Sequence, residues 1–108
     1  MIQWGILGTG KIASLFARDF KYITNGELVA VASRVPQRAY EFSAAHGIRD
    51  VHISYEALAK WKDIDAVYIA TPHNRHYEDT KMCLENGKSV LCEKPITVNA
   101  AQLQELIK

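Results

Sequence analysis

The chain has 108 residues, 48% of them hydrophobic and 23% charged, with a formal net charge of +1. This composition fits one compact globular domain with room for a core, and its balanced charge argues against attraction to nucleic acid or membrane surfaces as the basis of function. No apolar run approaches the roughly 20 residues needed to span a bilayer and no signal-type leader precedes the first strand; with only two cysteines, Cys83 and Cys92, buried free thiols in a cytoplasmic protein are expected.

The first apolar run, Ile2 to Leu7, stops in Gly8-Thr9-Gly10-Lys11-Ile12-Ala13 and restarts as helix. Glycines at the turn let the backbone approach a pyrophosphate, the first helical N–H groups face it, and small Ala13 lets helix and strand lie close. Ile12, Leu15, Phe16, Phe20 and Ile23 recur at helical spacing from Lys11 to Tyr22, and Asn25-Gly26 supplies the stop. A second strand follows at Leu28 to Ser33. Pro36 suits the first turn of a second helix with Ala39, Phe42 and Ala45 on its buried side and Gly47 at its end. Val51-His52-Ile53 makes a short third strand, Ser54 caps a helix from Tyr55 to Trp61, and Ile64 to Ala70 forms a fourth strand ended by Thr71-Pro72. A helix from about Arg75 to Glu85 closes at Asn86-Gly87, Ser89 to Cys92 is a fifth strand, and Asn99 with Gln102 opens a last helix that runs to Lys108. Strands that alternate with helices and are apolar throughout predict a doubly wound parallel sheet, a Rossmann fold in three α/β/α layers with five or more strands. Residues 1–108 then make one dinucleotide-binding domain, and the absence of a stop signal at its end points to a fragment of a longer protein.

Ligands of such sheets lie across the carboxyl ends of the strands. The second strand ends in Ser33-Arg34, where NAD enzymes usually carry an acid for the ribose 2'-hydroxyl. A serine that donates to a 2'-phosphate, a guanidinium that pairs with it and stacks on adenine, and Arg38 one turn on favour NADP(H), with NAD(H) as the weaker candidate. The alternative is that both arginines are solvated surface charges. Thr71, Pro72, His73 and His76 meet the same edge after the fourth strand, with His76 the better placed histidine for cofactor or substrate. Helix-start packing is the other reading of both histidines, and their spacing without a third ligand makes no metal site. Glu93-Lys94-Pro95 follows the fifth strand. Partial burial and a neighbouring nicotinamide cation would disfavour the Lys94 ammonium and suit it to proton transfer, with Glu93 to orient it.

These residues together resemble the Gfo/Idh/MocA oxidoreductases, named for glucose-fructose oxidoreductase, inositol dehydrogenase and a rhizopine catabolism protein. The resemblance spans the chain through Gly8 to Ala13, Val29 to Arg34, Tyr68 to His76 and Val90 to Pro95 with Asn99, and its Ser-Arg form looks most like the NADP-linked dihydrodiol dehydrogenase and sugar-reductase branch. It implies an N-terminal Rossmann domain followed by a larger α/β domain, absent here, that binds a sugar, polyol or dihydrodiol and often mediates oligomerisation. It implies that Lys94 is the catalytic lysine, fixed by Glu93 and Pro95, and that His76 approaches cofactor or substrate. Val35-Pro36 departs from the acidic cap that many relatives carry on the second helix, a loss on the order of 1 kcal/mol partly offset by the proline. The expected function is hydride transfer between NADP(H) and a sugar-like carbon, with cofactor binding but no useful turnover from these residues alone. A dinucleotide sensor without catalysis is the rival reading, disfavoured by the intact Lys94 loop. An S-adenosyl-methionine methyltransferase has no use for that loop or for Ser33-Arg34.

Overall fold

Strands that are apolar on both sides can be buried only in a sheet covered on both faces, and the chain meets that demand. The computed structural model describes residues 2–92 apart from 21, 23, 24 and 72, with backbone alone at 73 and 92. Along the chain run β1 (Ile2–Leu7), α1 (Lys11–Phe20), β2 (Gly26–Ala32), α2 (Pro36–His46), β3 (Asp50–His52), α3 (Tyr55–Lys60), β4 (Ala66–Ile69), α4 (His76–Glu85) and β5 (Ser89–Cys92). A 3-10 turn, His73–Arg75, leads into α4. Neighbouring strands all pair in parallel, in the order β3-β2-β1-β4-β5. This is the expected doubly wound Rossmann sheet, with five strands among the described residues. The helix expected from Asn99, Ile23, Pro72 and the loop Glu93-Lys94-Pro95 lie outside the described residues, as does the Cys92 side chain.

Winding runs outward from β1 to β3 on one side and from β4 to β5 on the other, so the direction reverses between β1 and β4. α1 and α2 therefore pack together on one face, α3 and α4 on the opposite one. Ile6, Val31 and Tyr68 meet Ala13, Ala17 and Phe42 in the first layer, whereas Leu7, Val29, Val67 and Ile69 meet Leu58, Ala59 and Cys83 in the second. Successive residues of β1 thus supply opposite layers, as the pleat of a strand requires. Local chemistry fixes the joints. The Ser54 hydroxyl accepts from the Ala57 N–H at 3.1 Å to cap α3, and Lys88 Nζ donates at 2.7 Å to the carbonyls of both Trp61 and Ile64 beyond that helix. Gly47 ends α2 in the left-handed region at φ +66°.

Several details differ from the sequence-based expectations. On α1 the buried side is Ala13, Ala17 and Phe20, while Ile12 and Leu15 are exposed. The side chains of α1 that face the sheet are small at Ala13 and Ala17, with Phe20 buried at the helix end. The larger ones of the helix pack at the flank, where Phe16 stacks on Tyr68 with ring centroids 3.9 Å apart and both Phe16 and Phe20 meet Trp4. On α2, Ala45 is exposed and burial falls on Ala39 and Phe42, with Ser43 donating to the Ile48 carbonyl. α1 ends two residues before Tyr22, β3 starts one residue before Val51, and α4 begins at His76 because the chain after β4 first makes its 3-10 turn.

Candidate functional site

The reversal between β1 and β4 opens a crevice at their carboxyl ends, and the glycine turn sits in it. Gly8 has φ +104°, and a Cβ there would lie 2.8 Å from the Ala70 carbonyl oxygen. This glycine is required by the fold itself. Gly10 is different: its φ is ordinary and a Cβ would meet nothing within 4 Å. The chain gives no internal reason for glycine there, whereas a phosphate group brought against the backbone would. The first bond of α1 runs from the Ser14 N–H to the Gly10 carbonyl at 3.0 Å, and the N–H groups ahead of it have no helical acceptor. Thr9, Lys11 and Ile12 continue the wall of a cleft of about 450 Å³ that starts at these glycines. Ala13 is buried beneath α1 and contributes packing to this turn.

Ser33, Arg34, Val35 and Arg38 form the opposite wall. The buried Ser33 hydroxyl accepts from the Val35 N–H at 3.1 Å, which leaves its own proton available for donation. Val35 occupies the N-cap position of α2 with no side-chain cap, and the serine takes the Val35 N–H itself, not the first-turn N–H groups that a capping acid would serve. Arg34 is exposed, has no carboxylate partner among the described residues, and rests with Cζ 5.2 Å from the centroid of the Tyr55 ring.

Ala70 and Thr71 close the cleft from β4. The Thr71 hydroxyl donates at 2.6 Å to Asp79, a carboxylate only 1% exposed, which also takes the Arg75 guanidinium at 3.0 Å. His76, equally buried in α4, has Nε2 at 2.8 Å from the Thr71 carbonyl oxygen. A carbonyl only accepts, so Nε2 carries the proton and donates. Both the side chain and the carbonyl of Thr71 are thereby held from α4. His73 opens the 3-10 turn at the same strand end.

The crevice brings together the expected residues of the glycine turn, Ser33, Arg34, Arg38 and Thr71. Tyr55, Arg75 and Asp79 were not among the expected site residues. The same logic of strand ends would have found Tyr55, since it follows β3 directly through the cap Ser54. Burial also perturbs groups nearby. Desolvation raises the Tyr55 phenol above its ordinary value, aided by the Asp79 charge and opposed by Arg34 and Arg75. Burial lowers His52 below the usual histidine range against a small opposing effect of Asp50, and pushes the free Cys83 thiol up to about 12. A second hollow, of about 350 Å³, lies among Trp4, Phe16, Phe20 and Leu91 at the other end of β1; it is apolar and has no phosphate-binding chemistry. Among the described residues no cluster of three metal-ligating side chains occurs, and no helix is long and apolar enough to cross a membrane.

Known proteins share this arrangement. The family model described as the oxidoreductase family with an NAD-binding Rossmann fold, Gfo/Idh/MocA, matches residues 2–108. Trans-1,2-dihydrobenzene-1,2-diol dehydrogenase of Xenopus tropicalis is 43% identical over 107 residues, covering 97% of this chain and 32% of that protein. The chain therefore spans about a third of the length of the curated relatives it matches. Among solved structures, KijD10, a 3-ketoreductase from Actinomadura kijaniata in complex with NADP and TDP-benzene, superposes with a TM-score of 0.93 at 34% identity, covering 98% of this chain and 33% of that one. A putative myo-inositol dehydrogenase from Sinorhizobium meliloti gives a TM-score of 0.89 at 32% identity, with coverage of 99% and 32%.

Proposed function

The chain belongs to the Gfo/Idh/MocA oxidoreductase family as an NAD(P)-binding Rossmann domain, and we propose that it takes NADP(H) and serves an enzyme that oxidises or reduces a sugar, polyol or dihydrodiol carbon. One observation carries the cofactor choice. At the tip of β2 stand a serine with a free hydroxyl proton and an arginine without a carboxylate partner among the described residues, where an acid would be needed for a ribose 2'-hydroxyl. Arg38, one turn along α2, adds a second cation on the same wall.

The open approach at Gly10 and the N–H groups that begin α1 without a helical acceptor fit a pyrophosphate, and Thr9, Lys11 and Ile12 would flank it. Thr71, with Pro72 and His73 beside it, would border the nicotinamide end, where the bound cofactor supplies or accepts hydride. His76 donates to the Thr71 carbonyl, and in this reading it stands at the reacting end of the cleft as the group that holds that border in place. Lys94 would move the proton. Its Nζ takes the proton of the substrate hydroxyl when the carbon is oxidised and returns it to the carbonyl oxygen in the reverse direction, with Glu93 orienting the amine.

The cleft is open, and hydride transfer needs aligned carbons and excluded water. A second domain of the same protein would supply the cover, the substrate contacts and a surface for self-association. The relatives, about three times as long, are consistent with that arrangement. A cytoplasmic setting agrees with the buried free thiol of Cys83. Titration of NADPH and NADH against the full-length protein tests the reading. Tighter binding of NADPH, by about tenfold or more, is expected from a charge-assisted bond to the extra phosphate. Tighter binding of NADH overturns it.

A further inference from the structure

We propose that Tyr55 is the positioning residue for the adenosine end of the cofactor: its ring holds the Arg34 guanidinium at the cleft wall and so sets the preference for NADP(H) over NAD(H). The inference rests on the reading of Ser33 and Arg34 given above and extends it to a residue of a different element, α3.

Two guanidiniums approach the Tyr55 ring, Arg34 with Cζ at 5.2 Å from the centroid and Arg75 at 5.3 Å. They are not equivalent. Arg75 pairs with Asp79 at 3.0 Å and lies 3.9 Å from Glu78, so its charge is spent within α4. Arg34 has the ring and no carboxylate among the described residues. Of the two cations, Arg34 alone remains for an anion in the cleft that it lines together with Ser33.

The ring is a rigid support. It sits on the first residue of α3, whose start is fixed by the bond from the Ala57 N–H to Ser54, and it packs against the core cluster that contains Leu58 and Ile64. An arginine on an exposed loop ordinarily loses much rotamer freedom when it grips a phosphate. Stacking on a fixed aromatic face removes part of that freedom beforehand, and the affinity for the phosphate rises accordingly. Adenine is common to both cofactors, but the charge-assisted bond to Arg34 forms only with a 2'-phosphate, so the larger part of the effect falls on discrimination. The face of the ring supports the guanidinium, and the phenolic hydroxyl has no share in it.

Equilibrium binding of NADPH and NADH to the full-length protein, unaltered and as Arg34→Ala, Tyr55→Phe, Tyr55→Leu and Tyr55→Met, tests the proposal, with a thermal melt to identify variants that fold. Tyr55→Leu should weaken NADPH about fivefold and change NADH by less than about twofold, while Tyr55→Phe stays within about twofold for both. Tyr55→Met removes the ring with a flexible apolar chain and carries the same expectation should the leucine variant not fold. An equal loss for both cofactors, or no loss for NADPH, in the ring-less variants overturns the positioning role. Arg34→Ala separates this failure from that of the underlying reading. If it lowers the NADPH-to-NADH preference while the Tyr55 variants do not, the role of Tyr55 alone is wrong. If it leaves the preference unchanged, the cofactor reading is wrong and this proposal falls with it.

Discussion

Gly8 packs against Ala70 so closely that a Cβ on the glycine would come within 2.8 Å of the Ala70 carbonyl oxygen. The contact joins the ends of β1 and β4 at the reversal of winding, while the Ala70 N–H bonds the Leu7 carbonyl at 2.9 Å. Gly8→Ala must therefore move backbone as well as adopt φ +104°, and should cost on the order of 2 kcal/mol or more of stability. Gly10→Ala meets nothing within 4 Å and should leave the denaturation midpoint nearly unchanged while weakening dinucleotide binding about tenfold or more. Denaturant unfolding and cofactor titration of the two variants check the contrast. A large stability loss at Gly10, or unchanged cofactor affinity there, would show that its openness has nothing to do with a ligand.

Asp79 is the buried centre of the β4 end. It accepts from the Thr71 hydroxyl at 2.6 Å and pairs with Arg75 at 3.0 Å, and Arg75 Nε is already buried without a partner among the described residues. Asp79→Ala strips two groups of their acceptor and should cost roughly 2–4 kcal/mol, somewhat below a wholly buried pair because Arg75 keeps some exposure. Asp79→Asn retains an acceptor for Thr71 and should lose less. Unfolding free energies of the two variants give the comparison, and equal losses would locate the effect in the charge that both variants lack, with nothing owed to the Thr71 hydrogen bond.

Much of this arrangement was legible in the sequence because it is carried by single-residue chemistry at strand ends. Gly8, Ser33, Arg34 and Thr71 converge as expected, and Pro36, Ser54 and Gly47 start, cap and stop helices as their types predict. The faces of α1 were less legible. Helical periodicity ranks Ile12 and Leu15 as core because they are large and apolar, but the side of the helix that faces the sheet carries Ala13 and Ala17, a tertiary effect that periodicity does not contain. Asp79 looks ordinary in sequence, and Tyr55, though its place after β3 could have been read, carries no motif that tells what it touches. Their roles arise from side chains of the turns after β2 and β4, of the 3-10 turn and of α4 that meet only after folding.

His52 provides a pH test. Its Nε2 is buried without a hydrogen-bond partner among the described residues, its ring lies 4.9 Å from that of Trp61, and desolvation lowers its pKa with Asp50 only partly opposing. The unfolded chain therefore binds the proton more readily than the fold does. The stability contribution of neutral His52 is complete above about pH 6.5 and is lost as the pH falls through the lower folded value. Denaturation midpoints should fall between pH 7.5 and pH 5.5 by more in the unaltered protein than in His52→Leu. Because the His52 carbonyl accepts from the Ser33 N–H at 3.2 Å, the protection of the Ser33 amide against hydrogen exchange, taken relative to its intrinsic rate at each pH, should fall over the same interval. Identical pH profiles for the two proteins would remove His52 from the account.

Lys94 and the phosphate-binding turn divide the work of the proposed enzyme, and the two can be separated. In the proposed function the turn, Ser33 and Arg34 would bind and the lysine would move a proton. Lys94→Met removes the amine while keeping the length of the side chain, so in the full-length protein NADPH affinity should change by less than about threefold. Turnover of a diol or sugar substrate should fall by about a hundredfold or more, the scale of losing a general acid or base. Arg34→Ala should do the opposite, raising the KM for NADPH with little change in kcat at saturating cofactor. If Lys94→Met instead loses cofactor affinity and keeps kcat, the lysine belongs to the binding machinery and the proton must travel by another group. The pH profile of the unaltered enzyme adds a second reading, since an amine that must be neutral to accept a proton makes oxidation rise with pH through its pKa. That limb should vanish in the methionine variant, whereas a lysine serving only to hold cofactor would leave it in place.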